Sequence, residues 1–263
     1  MTKVALHGAT GRMGQALVRL VHQAADLELV GAVCAPNDPA LDMDVGVLAG
    51  VGNIGIAATA DSASAFLGAE VVIDFSSIKA IPSLVAQATR SKTPLVCCTT
   101  GLDDELKQLL AKAALTIPVL FAANTSLGVQ VLAELAEQAV RRLGPGYDVE
   151  IVEIHHRKKV DSPSGTAKRL ADAVKAARSE TREIYGREGI VGARTDEEMA
   201  VFGVRGGDVI GDHTVYLLGP GERIELSHRA TSRELFAHGA LGAARYLAKQ
   251  PAGKLYTIAD VQA

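Results

Sequence analysis

Apolar and polar positions in the first half of the chain switch repeatedly between a strand period and a helix period. Residues 3–7 (KVALH) form a short apolar run. Residues 12–24 then carry Met13, Ala16, Leu17, Leu20 and Val21 at helical spacing, and 27–34 (LELVGAVC) read as a second strand. Apolar runs recur at 70–75 (EVVIDF), 94–98 (PLVCC) and 117–122 (IPVLFA). Between them, 78–90 fits a helix with Pro82 near its first turn, and 102–114 (LDDELKQLLAKAA) is a helix rich in good formers. Strands alternating with helices predict a parallel sheet covered on both faces, the Rossmann-like doubly wound α/β arrangement.

The pattern changes after Asn124. Residues 127–143 predict one long amphipathic helix, 148–156 (DVEIVEIHH) alternate as a strand, and a helix follows at about 166–178. Strands dominate next, at 199–205, 213–218 and 222–229, which points to a mixed sheet with a few helices, an α+β unit. From Ser232 to Lys249 the helical period returns, with Leu235, Phe236, Ala240, Leu241, Ala244 and Leu247 on one face.

Composition narrows the class of partner. The 263 residues suffice for one large or two ordinary domains, and with no Trp and 5 Phe the core must rest on Ala, Val, Leu and Ile. The net charge of -3 argues against nucleic acid; the one basic cluster, Arg157, Lys158 and Lys159, suits a small anion. Three cysteines, Cys34, Cys97 and Cys98, are odd in number and partly adjacent. They make a poor disulfide framework, so a reducing, cytoplasmic setting is expected, and none has metal-ligand spacing. The opening MTKVALHG already reads as strand and turn, so no signal peptide is expected, and no apolar run approaches a membrane span.

The turn Gly8-Ala9-Thr10-Gly11-Arg12-Met13-Gly14 follows a strand and opens a helix. Gly8 permits a tight turn, Gly11 lets backbone approach a pyrophosphate, and the helix N-terminus offers N–H groups and partial positive charge. The spacing is G-x-x-G-x-x-G rather than G-x-G-x-x-G, and a tight turn without ligand also fits. Arg12 is a candidate phosphate contact. An acid closing the second strand would bond the ribose of NAD, but that strand ends Val33-Cys34-Ala35-Pro36, with Asp38 three residues further on. No basic partner for the 2′-phosphate of NADP is evident either. Cys98-Thr99-Thr100 and Ala122-Ala123-Asn124-Thr125 stand at further strand ends, where ligands bind in such sheets; helix capping is the competing role for Thr99 and Thr100.

The densest chemistry lies in Glu153-Ile-His-His-Arg-Lys-Lys-Val-Asp-Ser-Pro-Ser-Gly-Thr-Ala167. A solvated basic edge is one reading. The other is an anion site: Ser164, Gly165 and Thr166 present N–H groups and hydroxyls at a helix start, Lys159 adds a compact cation, and a histidine donates protons near neutral pH. Metal binding by His155 and His156 is not expected, because neighbours on a strand point to opposite faces.

Taken together, VALHGATGRMG, DFS at 74–76, CTTG at 98–101, FAANTSLGV at 121–129, EIHHRKKVDSPSGTA at 153–167, VRGGDVIGDHTV and SHRATSR resemble the dihydrodipicolinate (4-hydroxy-tetrahydrodipicolinate) reductase family across nearly all of residues 3–260. The resemblance implies reduction of a cyclic unsaturated dicarboxylate by NADH or NADPH, with loss of water, in lysine and diaminopimelate biosynthesis. By position, it implies His155 as proton donor with Lys159 as partner, and His156, Gly165 and Thr166 around a substrate carboxylate. Gly8 to Met13, Cys98 to Thr100 and Ala122 to Thr125 would meet the cofactor. Ala35 stands where many members carry Glu, which leaves the cofactor preference open, and Cys98 replaces a usual Gly. The implied organisation is a dinucleotide domain, 1–125 plus 232–263, and a substrate and oligomerisation domain, 126–231, whose mixed sheet builds a homotetramer. Another two-domain NAD(P)-dependent dehydrogenase would lack the SPSGT turn, and a non-catalytic nucleotide sensor should carry a further binding module.

Overall fold

The computed structural model describes residues 1–262. The chain divides into two compact units: Met1–Ser126 together with the chain from Glu234 onwards, and Leu127–Arg233.

In the first unit, β1 (Thr2–His7) leads through α1 (Arg12–Gln23) to β2 (Leu27–Val33), and α2 (Val45–Ala49), β3 (Ala58–Thr59) and α3 (Ser62–Ala65) follow. Next come β4 (Val71–Asp74), α4 (Ile81–Ser91), β5 (Leu95–Cys97), α5 (Asp104–Ala113) and β6 (Val119–Phe121). After the second unit the chain returns as α8 (Glu234–Leu247) and β12 (Leu255–Tyr256). All seven strands pair in parallel, in the order β12-β6-β5-β4-β1-β2-β3. The strands read as continuous apolar runs because both faces are covered. β1 sends Val4 and Leu6 to the core shared with α1 and α8, and Ala5 to the core shared with α4 and α5; β4 likewise splits Val71 and Ile73 from Val72.

The strand order reverses between β1 and β4, the topological switch point at which open α/β sheets bind ligands. Register makes the strands end level: His7 lies opposite both Val33 and Asp74, Asp74 opposite Cys97, and Cys97 opposite Phe121. Residues 8–13, 34–35, 75–76, 98–100 and 122–125 therefore leave the sheet along one edge.

The second unit contains α6 (Leu127–Leu143), β7 (Asp148–His155), α7 (Gly165–Ala177), β8 (Arg182–Ile184), β9 (Glu198–Arg205), β10 (Asp212–Gly219) and β11 (Glu222–Arg229). Its sheet is mixed, in the order β11-β10-β7-β9-β8: β11, β10 and β7 run antiparallel, β7, β9 and β8 parallel. One core joins Leu132, Ala136 and Val140 of α6 and Leu170 and Val174 of α7 to Val149, Ile151, Val201, Val215 and Leu217 of the sheet. The other sheet face carries Val152, Ile154, Phe202, Tyr216 and Leu218, all half-buried, with Val204 46% exposed.

The long periodic elements fall where the apolar pattern predicts, within one or two residues. The helix expected from 78 opens as a 3-10 turn over Ile78–Ala80 before α4, in which Pro82 occupies the first turn. The pattern did not reveal α2, β3, α3, β8 or β12, each five residues or fewer, because a periodicity needs more than one repeat to be read. The units divide at 126/127 and 233/234 rather than 125/126 and 231/232. No helix among the described residues is long and apolar enough to cross a membrane.

Candidate functional site: a dinucleotide edge and a buried Glu–His pair

The first unit gathers its candidates along the level edge of the sheet. Gly8 has φ +83, and a Cβ there would lie 2.6 Å from the Phe75 carbonyl oxygen. The turn can pass this close to β4 only as glycine, in a left-handed conformation. Gly8 and Ala9 both donate their N–H to Val33 O at 2.9 Å, tying the turn to the end of β2. The N-cap of α1 is Gly11, which has no side chain to cap it, unlike α5, whose Asp103 accepts from Leu106 N, and α2, capped by Asp44. Gly11 is exposed, and the nearest atom to a Cβ placed on it would be the Gly8 oxygen at 3.4 Å. A bare, uncapped start to a 12-residue helix at the switch point fits a dinucleotide pyrophosphate.

Around this turn the side chains mostly bond to one another. Asp74, fully buried, takes His7 Nδ1 at 2.8 Å, Ser76 Oγ at 2.5 Å, Thr99 Oγ1 at 2.7 Å and Cys97 Sγ at 3.6 Å. One carboxylate thus pins the ends of β1, β4 and β5. The Thr99 hydroxyl proton is committed to Asp74, and that of Thr125 to Phe236 O at 2.6 Å. Asn124 Oδ1 accepts from Ser126 N at 2.8 Å. Helix capping is not the role of Thr99 or Thr100, since Asp103 caps α5. Cys98 and Ala122 are buried, while Arg12, Ala35, Thr100 and Ala123 are exposed and Met13 is half-buried. Burial pushes the Cys97 and Cys98 thiols far above the usual range, so neither is a nucleophile. What this edge offers a ligand is mainly backbone.

The second unit builds its site from side chains. β7 alternates without interruption, burying Val149, Ile151, Glu153 and His155 on the helix-facing side. The first two join the core; the last two extend the same row as polar groups. Glu153 is wholly buried and fully bonded: His155 Nδ1 at 2.6 Å, Arg205 Nη1 and Nη2 each at 2.7 Å, and Ser164 N at 3.0 Å. Burial alone would push its carboxyl up, but Arg205, His155 and the Ser164 N–H hold it below the usual range. An ionised Glu153 accepts, so His155 Nδ1 carries the hydrogen and Nε2 is the nitrogen not bonded to Glu153. Nε2 faces Gly211, where a Cβ would come within 2.9 Å of it.

Burial lowers the His155 pKa, with Glu153 raising it and Lys159 and Arg205 lowering it further. His213 lies opposite Glu153 in the register and edge-on to His155, ring centroids 5.1 Å apart. Burial, then His155, pushes its pKa down to about 3, so it is neutral, its Nε2 3.1 Å from Ser164 Oγ. Lys159 pairs with Asp161 at 2.8 Å. With Glu153 matched by Arg205 and Asp161 by Lys159, the cluster has no net charge while both histidines are neutral.

The sequence-predicted substrate residues sit at the start of α7. Ser164 is its N-cap, buried, with Oγ accepting from Ala167 N at 3.2 Å. Gly165 is exposed, with nothing within 4 Å of a Cβ placed on it, and Thr166 is half-buried. His156 is half-buried, its N–H donated to Val209 O at 2.7 Å, so residues 156–159 are laced to the 206–211 loop. Sequence reasoning gave no role to Glu153, Arg205, His213 or Gly211. The period-2 burial of β7 could have found Glu153; the other three depend on strand register. A cavity of about 220 Å³ lies in this unit among Gly186–Gly192, Arg187, Arg194 and Glu198. Its arginines are already paired with Asp148, Glu150 and Glu198, so it offers no comparable chemistry.

The chain matches two family models, "Dihydrodipicolinate reductase, N-terminus" over residues 2–125 and "Dihydrodipicolinate reductase, C-terminus" over residues 128–262. It is 48% identical over 264 residues to the 4-hydroxy-tetrahydrodipicolinate reductase of Anaeromyxobacter sp. (strain Fw109-5), covering 99% of this chain and 97% of that protein. It is 45% identical over 268 residues to the protein of the same name from Methanopyrus kandleri, covering 99% and 96%. In fold it is similar to the dipicolinate-bound dihydrodipicolinate reductase of Paenisporosarcina sp. TG-14, with TM-score 0.76, 23% identity and coverage of 98% and 97%.

Proposed function

The chain belongs to the dihydrodipicolinate reductase family, and we propose that His155, oriented by Glu153, is the acid in its NAD(P)H-dependent reduction of 4-hydroxy-tetrahydrodipicolinate to tetrahydrodipicolinate. The observation that carries the assignment is the 2.6 Å bond between His155 Nδ1 and a fully buried carboxylate, which leaves Nε2 as the nitrogen not held by Glu153.

The overall change removes the 4-hydroxyl with one hydrogen from a neighbouring ring carbon as water, and adds one hydride and one proton to the ring. The bound nicotinamide supplies the hydride. The residues of the chain supply the rest. Imidazolium Nε2–H of His155 delivers the proton to the ring carbon beside the one reduced, and Glu153 stabilises the cation while the proton is held. A substrate with two carboxylates brings two negative charges to a cluster with no net charge, which draws His155 toward its protonated form on binding. Lys159, with His156 and the α7 start at Gly165 and Thr166, receives a carboxylate through a cation and a helix N-terminus.

The first unit is the dinucleotide domain. Its level edge, residues 8–13, 98–100 and 122–125, holds the cofactor chiefly by backbone, which contributes orientation rather than acid strength. The apolar residues on the outer face of the second sheet, Val152, Ile154, Phe202, Val204, Tyr216 and Leu218, support a homotetramer through sheet-on-sheet contact. Free, buried cysteines suit a cytoplasmic enzyme of lysine biosynthesis through diaminopimelate.

The test is turnover with freshly prepared 4-hydroxy-tetrahydrodipicolinate, following loss of reduced nicotinamide absorbance for wild type, His155→Ala and Lys159→Ala. Rapid oxidation in wild type and severe loss in both folded variants is expected. Full activity of His155→Ala would remove it from the acid role.

A further inference from the structure

The loop after β2 carries an acid in a place that the chain's own spacing hides. Ala35, at the strand end, has no group to offer a ribose. Four contacts instead fold the loop back so that Asp38 meets the glycine turn. Asp38 N donates to Ala35 O at 3.0 Å, Leu41 N to Asp38 O at 3.0 Å, Ala40 N to Asp38 Oδ1 at 2.8 Å, and Thr10 Oγ1 to Asp38 Oδ2 at 2.7 Å. Thr10 lies between Gly8 and Gly11, so the carboxylate is fastened to the turn assigned to the pyrophosphate. It is half-buried, and the Thr10 and Ala40 bonds hold it ionised, below the usual carboxylate range.

We propose that Asp38 takes the place of the missing strand-end acid, accepting the adenosine ribose hydroxyls and making the enzyme selective for NADH over NADPH. This inference rests on the dinucleotide reading of that edge. A carboxylate has about four lone-pair sites. Thr10 and Ala40 occupy one on each oxygen, leaving one on each for the vicinal hydroxyls of a ribose. A 2′-phosphate would meet that charge directly, and residues 33–59 contain no Lys, Arg or His to neutralise it, while Asp42 is exposed nearby in sequence. Like charges at short range cost affinity, and an unmatched acceptor loses its bond as well. Thr10 acts by positioning: its hydroxyl sets where the carboxylate stands.

Calorimetric titration of the intact protein with NADH and with NADPH tests this without turnover. Wild type should bind NADH at least about tenfold more tightly than NADPH. Asp38→Asn keeps an oxygen for Ala40 N and removes the charge. It should weaken NADH and strengthen NADPH, bringing the ratio to within about threefold of unity. Thr10→Val should fall between them. Equal wild-type affinities, tighter NADPH, or a ratio unmoved in Asp38→Asn would overturn the role of Asp38 while leaving the dinucleotide site standing. Failure of folded wild type to bind either compound would overturn the dinucleotide reading and this proposal with it.

Discussion

The two sites of this protein spend their side chains in opposite ways. Along the edge of the parallel sheet, His7, Asp74, Ser76, Cys97 and Thr99 bond to one another, which leaves bare backbone at Gly8 and Gly11 as what the edge offers a ligand. On β7 the backbone is consumed by the sheet, and the side chains of Glu153 and His155 are the groups to which we assign the chemistry. A site that binds a large, preformed cofactor can rely on strand ends and a helix start. A site that moves a proton needs one titrating group and a fixed partner.

That contrast is breakable by mutation. The largest effect is expected at His155: His155→Ala should lower kcat/KM by about 10²–10⁴-fold with thermal stability and dinucleotide affinity near wild type, as read by steady-state kinetics, melting and calorimetry. Asp74→Ala should do the reverse. It strands a buried His7 and frees three strand ends, so chemical denaturation should show a loss of about 3–5 kcal/mol. A rate defect in Asp74→Ala without instability would break the division of labour.

His213 sharpens it further. Its native pKa is about 3 against an ordinary 6.5, so the unfolded chain takes up the proton first as pH falls. Stability from the neutral form is present above about 6.5 and is lost toward 3, by about 2–4 kcal/mol. His213→Gln should flatten that slope in pH-dependent melting. The smallest effect is expected for Glu153→Gln, about 10–100-fold in kcat/KM. Because Glu153 raises the His155 pKa, its neutral analogue should also move the falling limb of the rate profile to lower pH, a shift that mere loosening of the fold would not produce.

The long elements and both site motifs were legible in the sequence because each repeats a period or presents a turn. Gly8 to Gly14 announces itself by spacing, and HHRKK with SPSGT by its density of charge and small residues. The partners of His155 were not legible in the same way. Arg205 and His213 lie 52 and 60 residues from Glu153 along the chain and reach it only because β9 and β10 pair with β7 in one register. Asp38 was visible, yet three residues from the expected place; the Thr10 bond, seen in the fold, connects it to the turn. Thr99 and Thr125 were legible at strand ends, but the bonds of their hydroxyls to Asp74 and Phe236 O are visible only in the fold.

The most direct test of the central claim, that His155 is the proton donor, is the pH dependence of kcat/KM measured on wild type beside His155→Ala. The wild-type rate should fall as pH rises through a pKa lying below 6.5, and the limb should be absent in the variant. A wild-type profile that is flat through that range, or a limb that survives in His155→Ala, would contradict the account.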